Sequence, residues 1–399
     1  MLGRIFTSKL VAILSCLLVL VVGIWLGGHP RYLPDPIADV LVGDEDRRVV
    51  LEGLDAVHDK YYREIERSSL ADNALKGAVA SLDDRFSAYF SPKEYAQFNQ
   101  SINNQFSGVG TAIRAVKDGL RVETVYADSP AEKAGIMVGD VITEANGRKL
   151  AGLSETTATA RIKGREGTKV TLRVRRGSRS FVRRLTRATI SIPVVESKIA
   201  NAGGQRVAYI ALSTFGPSTA HEEVAAAIRK QRGRGAKGIV FDLRGNGGGL
   251  VSEAQLIASM FLRGGPIVTT RGRSVETRTL SATGKVLAGD LPTVVLVDGG
   301  TASAAEIVAG ALQDRKRATV IGVKTFGKGV FQEIMQLSNG GALDITVGQY
   351  FLPSGRNLGG AGVKQGSGIK PDMRAMDDPD TRDRDEALVR ALAVLARKL

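Results

Sequence analysis

Cysteine and histidine are scarce in this chain. Cys16 is the only cysteine among 399 residues, so the sequence excludes an intrachain disulfide and a cysteine metal site. The three histidines are His29, His58 and His221, and none lies in a loop typical of a catalytic triad. A serine nucleophile would therefore need another base, such as a lysine whose pKa is lowered by burial. We expect no metal and no cofactor.

The composition is that of an ordinary folded chain, and this excludes two broad classes. Hydrophobic residues make up 43% and charged residues 24%, close to the averages of soluble domains. Wholesale disorder and a multi-span membrane protein are therefore both excluded. The length allows two or three domains, and the sequence contains no internal repeat and no low-complexity tract.

An apolar run near the N-terminus departs from this composition. Arg4 and Lys9 precede the uncharged run 10–27, which is about as long as one bilayer crossing. Because no small-x-small cleavage site clearly follows, an uncleaved signal anchor over 1–28 is favoured over a removed signal peptide. We therefore expect a single-pass protein of the inner (cytoplasmic) membrane. A linker at 29–44 would lead to a catalytic domain on the extracytoplasmic side, in the periplasm or cell envelope.

The net charge is strongly positive and unevenly distributed. It is formally +14, and much of it falls in 161–187. Alternating Val, Leu and Phe residues there predict a hairpin with basic outward faces. Such a run is typical of a solvated face, and the functional alternative is attraction to anionic lipid or to a cell-wall polymer. Nucleic acid is not an expected partner, because an extracytoplasmic domain does not normally meet it.

The order of predicted elements divides the rest of the chain. Residues 45–104 have apolar positions at helical spacing, which predicts a small helical region. Short β-rich runs punctuated by glycine follow over 105–188. Apolar strands then alternate with helical stretches over 189–373, as in an α/β layered domain. An amphipathic helix closes the chain within 374–399.

Ser303 is the candidate nucleophile. A predicted strand ends at Asp298, and a turn containing two glycines leads to Ser303 at the start of a helix. A turn of this kind exposes the hydroxyl, while the following N–H groups and the helix dipole can stabilise an oxyanion. The alternative is structural, because Ser303 and Glu306 have the spacing of a capping box. Sequence position alone does not separate the two.

Lys328 is the candidate base. Glycines and apolar residues flank it, which favours close approach and loss of hydration, although an ordinary surface lysine is the commoner case. Gln332 faces the same side of an extended strand and can orient the amine. The stretch from Gly322 to Lys328 also matches the opening of a phosphate-binding P-loop. However, Gly329 replaces the required Ser or Thr, and a strand-like run follows where a helix is needed.

A glycine-rich junction at 244–249 leads from a predicted strand into a helix. Consecutive glycines can offer backbone N–H groups to an oxyanion. A dinucleotide-binding fingerprint is excluded, because Leu250 stands where its third glycine belongs.

Residues 129–147 resemble the centre of a bacterial PDZ domain, through SPAEKAGIMVGDVI and the Asn-Gly turn that follows. PDZ domains bind a peptide as an added strand and hold its terminal carboxylate in backbone N–H groups. The resemblance assigns 105–188 to this domain. An ordinary tight turn is the alternative for the candidate carboxylate loop. That loop consists of Gly108, Val109 and Gly110.

The combined motifs resemble the C-terminal processing, or tail-specific, protease family. They span about residues 45–373 and are LDDRFSAYFSPKEYAQF, the PDZ-like core, DLRGNGGGL, GGTASAAEIVAGALQD, TFGKG with Gln332, and YFLPSGRN followed by GIKPD. The resemblance implies a multidomain α/β (α+β) fold. In it a PDZ domain and a crotonase-like α/β serine protease core with a cap follow the N-terminal transmembrane helix.

The same resemblance implies a serine endopeptidase with a Ser/Lys dyad. The site residues that it implies are the nucleophile Ser303, the general base Lys328, its support Gln332, the oxyanion-hole donors Ala304 with Gly248 or Gly249, and Asp314 at a position that is functional in some members. Its partners would be protein or peptide substrates with apolar C-terminal tails, and the family allows an adaptor protein and a homo-oligomer.

A catalytically silent PDZ scaffold that binds tails without cutting them is the alternative function. The intact Ser303, Lys328 and glycine-rich junction argue against it. The chain reads TASAAE where the family often reads SASASE, and this change keeps the nucleophile. The segment LGGAGVKQGSGIKPD is longer than the usual connection, so the shape of the substrate channel does not follow from the resemblance.

Overall fold

The N-terminal prediction is corrected by the computed structural model, which describes residues 15, 17–23, 25, 45–360, 366–376 and 384–399. Within these residues no helix is long and apolar enough to cross a bilayer. Residues 17–23 are helical. The predicted transmembrane helix is therefore wrong, and so is the single-pass membrane location that rested on it. The predicted linker 29–44 lies outside the described residues.

The chain divides into two compact units, Met1–Leu82 and Asp83–Leu399. In the first unit the described residues from 45 onward form two helices, α1 (Glu45–Lys60) and α2 (Arg67–Ala80). This agrees with the helical spacing read in that segment. His58 of α1 contacts the carbonyl oxygen of Ile65 through Nδ1 at 3.1 Å, which is a local structural contact.

The first part of the second unit contains the segment predicted to be a PDZ domain. Its elements are β1 (Ala88–Phe90), α3 (Pro92–Ile102), β2 (Gln105–Gly108), β3 (Thr111–Val116), β4 (Gly119–Val125), α4 (Pro130–Lys133), β5 (Val141–Ala145), β6 (Arg148–Lys149), α5 (Glu155–Ile162), β7 (Lys169–Arg176), β8 (Arg179–Thr186) and β9 (Ala188–Ser191). One sheet has the order β3-β4-β5-β7-β8, with β6 on β5.

This small sheet encloses its own core. Leu120, Ile142 and Leu172 are fully buried in it. The strands β7 and β8 pair along their whole length, so the predicted basic hairpin is confirmed. Part of its positive charge is neutralised locally, since Arg176 contacts Asp140 at 2.7 Å.

The second part of the unit is layered. Its elements are β10 (Val195–Ala202), β11 (Gln205–Leu212), α6 (Ala220–Gly233), β12 (Gly238–Asp242), α7 (Val251–Ser259), β13 (Pro266–Gly272), β14 (Arg278–Ser281), β15 (Thr293–Val297), α8 (Ala304–Asp314), β16 (Thr319–Gly322), β17 (Val330–Gln336), β18 (Ala342–Phe351), β19 (Met373–Arg374) and α9 (Glu386–Ala396). A six-stranded sheet has the order β10-β11-β12-β15-β16-β19, parallel from β11 onward.

Burial on both faces explains why the central strands are continuous apolar runs. In β12, Ile239 and Phe241 pack in the core that includes residues of α6, α7 and α8. Val240 points to the other face, where it packs with Leu395 of α9. The predicted multidomain α/β architecture is therefore confirmed.

The site lies where three parallel strands end. The loops after β12, β15 and β16 carry the glycine-rich junction, Ser303 and Lys328. Because carboxyl ends of neighbouring parallel strands share one edge of a sheet, these three loops meet there. In a second sheet, with the order β1-β18-β13-β14 and β17 on β18, the strand β17 begins two residues after Lys328, at Val330.

Candidate active site

Ser303 has a backbone conformation that an ordinary helix cap does not need. Its φ is 54° and its ψ is −120°, outside the left-handed region that non-glycine residues sometimes visit. Two other helix-starting serines of this chain, Ser129 and Ser154, have φ of −74° and −62° and cap through their side chains. Such an outlier costs on the order of 1–3 kcal/mol and is typical of functional sites. The geometry favours the nucleophile interpretation over simple capping.

Glu306 holds the turn that carries Ser303. It is fully buried, and its Oε2 accepts a hydrogen bond from the Ser303 N–H at 2.9 Å. The same oxygen accepts from the N–H of Lys328 at 3.0 Å. Its Oε1 accepts from the N–H of Gly327 at 2.8 Å and from the Thr325 hydroxyl. One carboxylate therefore joins the turn of the candidate nucleophile to the turn of the candidate base.

Burial dominates the electrostatics of Glu306. It raises the pKa of this carboxyl, although the hydrogen bonds from Thr325, Lys328, Gly327 and Ser303 act in the opposite direction. Four donors converge on a group with no access to solvent, which is the arrangement that a buried carboxylate requires.

Lys328 is half-buried, and its amine has a defined acceptor. Nζ donates to Oε1 of Gln332 at 2.6 Å. The amide of Gln332 is oriented by its other end, because Nε2 donates to Thr346 Oγ1 at 2.9 Å. The amine also lies 4.8 Å from the ring centroid of Phe86. In the described part of the chain no hydrogen bond joins Lys328 Nζ to Ser303 Oγ.

The pKa of Lys328 is lowered. Burial is the largest cause, and the negative charges of Asp344, Asp84 and Glu306 partly oppose it. Burial likewise raises the pKa of Asp344 to about 6, against the favourable charge of Lys328. A lysine amine that loses its proton more readily than usual is suited to act as a general base.

The glycine-rich junction touches the nucleophile turn. A Cβ on Gly248 would lie 2.7 Å from the Cβ of Ser303 and 2.9 Å from the nitrogen of Ala304, and φ is 100°, so only glycine fits there. The N–H of Gly248 already donates to Oδ1 of Asn246 at 2.9 Å. A parallel bridge pairs Gly249 with Phe215 through the neighbouring peptide groups, which leaves the Gly249 N–H directed away from Phe215.

Asp314 and the described histidines contact groups other than Ser303 and Lys328. Asp314 is at the opposite end of α8 from Ser303, where it contacts Arg356 at 2.9 Å and accepts from the Ser354 N–H at 3.0 Å; these contacts hold a turn. Of the histidines, His221 contacts Glu253 at 3.0 Å, and His29 lies outside the described residues.

The P-loop alternative is wrong, because the strand β17 follows Lys328 where a helix is needed.

The candidate peptide-binding loop lies at the start of the edge strand β3. The carbonyl oxygens of Val109 and Gly110 accept hydrogen bonds from Ala131 and Tyr126 at 2.8 and 3.0 Å. Gly110 has a φ of 87°, and a Cβ there would lie 2.1 Å from the Cβ of Ser129. The helix α5 packs beside β3, so the space between this edge strand and the helix is the candidate peptide groove, and it begins at this loop.

Reasoning from the sequence missed several residues of the site. Asp84, Phe86, Asp344 and Thr346 all surround the Lys328 amine or its amide partner. Asp84 and Phe86 lie in the LDDRFSAYF motif, so the family resemblance was the signal that could have pointed to them. Asp344 and Thr346 alternate with Ile345 on β18 and carry no local signature.

Comparisons with known proteins agree with this layout. A family model described as peptidase family S41 matches residues 206–375, and one described as a PDZ domain matches residues 121–176. The carboxy-terminal processing protease CtpA of Bacillus subtilis is 32% identical over 335 residues, covering 84% of this chain and 70% of that protein.

Other similar proteins carry related descriptions. A probable CtpA-like serine protease of Staphylococcus epidermidis is 32% identical over 337 residues, covering 83% of this chain and 66% of that protein. The chain thus spans slightly less than two thirds of the length of that relative. Among solved structures, a photosystem II D1 C-terminal processing protease is 29% identical with a TM-score of 0.48, covering 86% of this chain and 90% of that one.

Proposed function

The chain belongs to the C-terminal processing protease family within peptidase family S41, and from this premise we propose that it is a serine endopeptidase with a Ser303/Lys328 dyad. The observation that carries the proposal is the buried Glu306, which accepts hydrogen bonds from the N–H groups of both Ser303 and Lys328. A capping box would account for the bond to Ser303, but not for the bond to the N–H of Lys328 on another loop. The carboxylate thereby holds the strained turn of Ser303 against the turn of a lysine whose amine is partly desolvated.

In the proposed reaction Lys328, with a neutral amine, takes the proton of the Ser303 hydroxyl as its oxygen attacks the scissile carbonyl carbon. To reach Ser303 Oγ, the amine must either break its hydrogen bond to Gln332 or keep that bond while it turns toward the hydroxyl. Catalytic groups often complete such a movement only when substrate binds. As the tetrahedral intermediate breaks down, the C–N bond breaks and the protonated Lys328 returns the proton to the leaving nitrogen, which releases the amine product and leaves an acyl-enzyme. Lys328 then takes a proton from a water molecule that attacks the ester. It returns this proton to Ser303 Oγ as the C–O bond breaks, which releases the carboxylate product and regenerates the hydroxyl.

The oxyanion would be bound by two backbone donors. The N–H of Ala304 belongs to the first turn of α8, where backbone N–H groups have no partner within the helix. The N–H of Gly249 is the second proposed donor, in preference to that of Gly248, which is occupied by Asn246. The positive end of the dipole of α8 would act on the same charge.

Substrate recognition is proposed for the PDZ domain. A C-terminal tail would add as a strand to the edge of β3, beside α5, with its carboxylate at Gly108–Gly110. Apolar residues near the tail end would fit the groove. The adaptor protein and the homo-oligomer stay predictions from the family resemblance.

The test is cleavage of a loosely folded protein with an apolar C-terminus by the full chain, by Ser303→Ala and by Lys328→Ala. We expect both variants to lose cleavage, and intact-mass spectrometry to detect an acyl group on Ser303 of the unmodified chain. Cleavage that persists in Ser303→Ala would contradict the assignment. Tail binding without cleavage or acylation would indicate the silent scaffold instead.

A further inference from the structure

We propose that Asp84 is a positioning residue for Lys328, which it holds in place through Phe86 on one side and through Ser87, Thr346 and Gln332 on the other. This inference rests on the proposed function, in which Lys328 is the base. It assigns a role to the LDDRFSAYF segment, which contributes no reacting atom to the proposed dyad.

The first connection runs through Phe86. Oδ1 of Asp84 accepts a hydrogen bond from the Phe86 N–H at 2.9 Å, which fixes the backbone from which the ring projects. The Phe86 ring lies against the Lys328 amine, 4.8 Å from Nζ to the ring centroid. An aromatic face at this distance attracts an ammonium group and restricts where the amine can go.

The second connection runs through β18. Oδ2 of Asp84 accepts from the Ser87 hydroxyl at 2.6 Å, and Ser87 Oγ in turn accepts from the Thr346 N–H at 3.0 Å. The Thr346 hydroxyl accepts from Gln332, which accepts from the Lys328 amine. The Asp84 carboxylate thus holds the backbone of Thr346 through Ser87, and the side chain of the same residue holds Gln332.

The charged groups around Lys328 allow the effect of Asp84 on its amine to be measured as a change in the titration of that amine. Carboxyl groups face the amine from three elements: Asp84 from the 83–87 loop, Asp344 from β18 and Glu306 from α8. Arg85 lies over the rings of Phe86 and Phe326, at 5.3 and 5.5 Å. Burial acts to raise the pKa of Asp84, but hydrogen bonds from Ser87, Thr346 and Phe86 and the Lys328 charge lower it overall. Asp84 is therefore ionised at neutral pH.

A merely structural role for Asp84 predicts a different result from a positioning role. If Asp84 only stabilised its own loop, its loss would lower the melting temperature and activity without changing how the Lys328 amine titrates. If it positions Lys328, removal of the carboxylate should shift that titration to lower pH, because an opposite charge near the ammonium is lost.

The experiment compares Asp84→Asn with Asp83→Asn in the full chain. Asp83 is the adjacent, exposed carboxyl group, and its φ of 48° suits asparagine. Reductive methylation of the Lys328 amine by formaldehyde and cyanoborohydride is followed against pH by peptide mass spectrometry. The pH profile of kcat/KM is measured on the same preparations.

We expect Asp84→Asn to move the methylation midpoint of Lys328 to lower pH, to lower kcat by about tenfold or more, and to be partly rescued by Asp84→Glu. Asp83→Asn should match the unmodified chain. An unchanged midpoint in Asp84→Asn overturns the proposal, whether or not activity falls. Because methylation needs no turnover, it tests Asp84 even if the unmodified chain proves inactive, and that inactivity would count against the dyad alone.

Discussion

The buried carboxylate of Glu306 accepts a hydrogen bond from the backbone N–H of Lys328, 22 residues further along the chain. Through its other contacts it also holds Ser303 and the loop residues Thr325 and Gly327. Movement of either turn relative to the other would leave buried N–H groups without an acceptor. Glu306 thus couples the local stability of the site to its geometry.

Substitution of this carboxylate should cost both stability and activity. In Glu306→Gln an amide NH₂ must face at least one backbone N–H that now has no acceptor, which costs about 1–3 kcal/mol. Displacement of the two turns should lower kcat by about a hundredfold. Urea unfolding and cleavage assays measure these effects. The variant Glu333→Gln, at an exposed position, serves as control. A Glu306→Gln variant as stable as that control would show that the Glu306 carboxylate does not hold the two turns together.

Cleavage should depend on pH through the Lys328 amine. Because burial lowers its pKa below the ordinary 10.5, kcat/KM should rise with pH and level off below that value as the amine becomes neutral. Lys328→Arg should abolish cleavage at every pH, since a guanidinium stays charged. The exposed Lys324→Arg on the same loop should leave the profile unchanged. A rate that stays flat from acid to strongly alkaline pH would exclude a titrating lysine.

The conformation of Ser303 should be visible as a stability difference between two inactive variants. Glycine adopts the φ of 54° without strain, whereas alanine keeps the strain. We expect Ser303→Gly to be more stable than Ser303→Ala by about 1 kcal/mol, after allowing for the greater freedom of glycine in the unfolded chain. Guanidinium unfolding of the two proteins gives the comparison. Equal stability would mean that the turn stores no strain.

Asp344 should make folding less favourable as pH rises. Its folded pKa of about 6 is raised above the ordinary 3.8 by burial, so its contribution to stability is full below the unfolded pKa and is lost as pH rises through about 6. Asp344→Asn should therefore remove about 1–2 kcal/mol of the pH dependence between acid and neutral solution, the value being reduced for partial exposure. Urea unfolding at several pH values measures it, with the exposed Asp290→Asn as control. The same slope in both variants would refute the assignment.

The loop at the start of β3 can be tested by peptide binding. Gly110→Ala would place its Cβ 2.1 Å from the Cβ of Ser129, so affinity for a fluorescent peptide with an apolar C-terminus should fall by about tenfold or more. Gly147→Ala has a similar positive φ and nothing within 4 Å of the new Cβ, which makes it a matched control for strain. Fluorescence polarisation reports binding, and circular dichroism checks the fold. Equal affinities would place the carboxylate site elsewhere.

Much of the fold followed from local patterns. The alternation of strands and helices predicted over 189–373 is present, with helices that begin at Ala220, Val251 and Ala304, because apolar periodicity is a local signal. The same kind of reasoning failed at the N-terminus. There the uncharged apolar run 10–27 has the length of a membrane span, yet no helix among the described residues is long and apolar enough to be one.

By itself the sequence determined the candidate nucleophile and base, because a scarcity of histidine left a glycine-flanked lysine as partner for Ser303, and the family motifs pointed the same way. Only the tertiary structure decided which groups hold that pair. Thr346 and Ser87 are 259 residues apart in the chain yet hydrogen-bonded, and Asp314, only 11 positions after Ser303, sits at the far end of α8 against Arg356. Hydrogen bonds and desolvation act over a few ångströms of space, and separation along the chain does not give those distances.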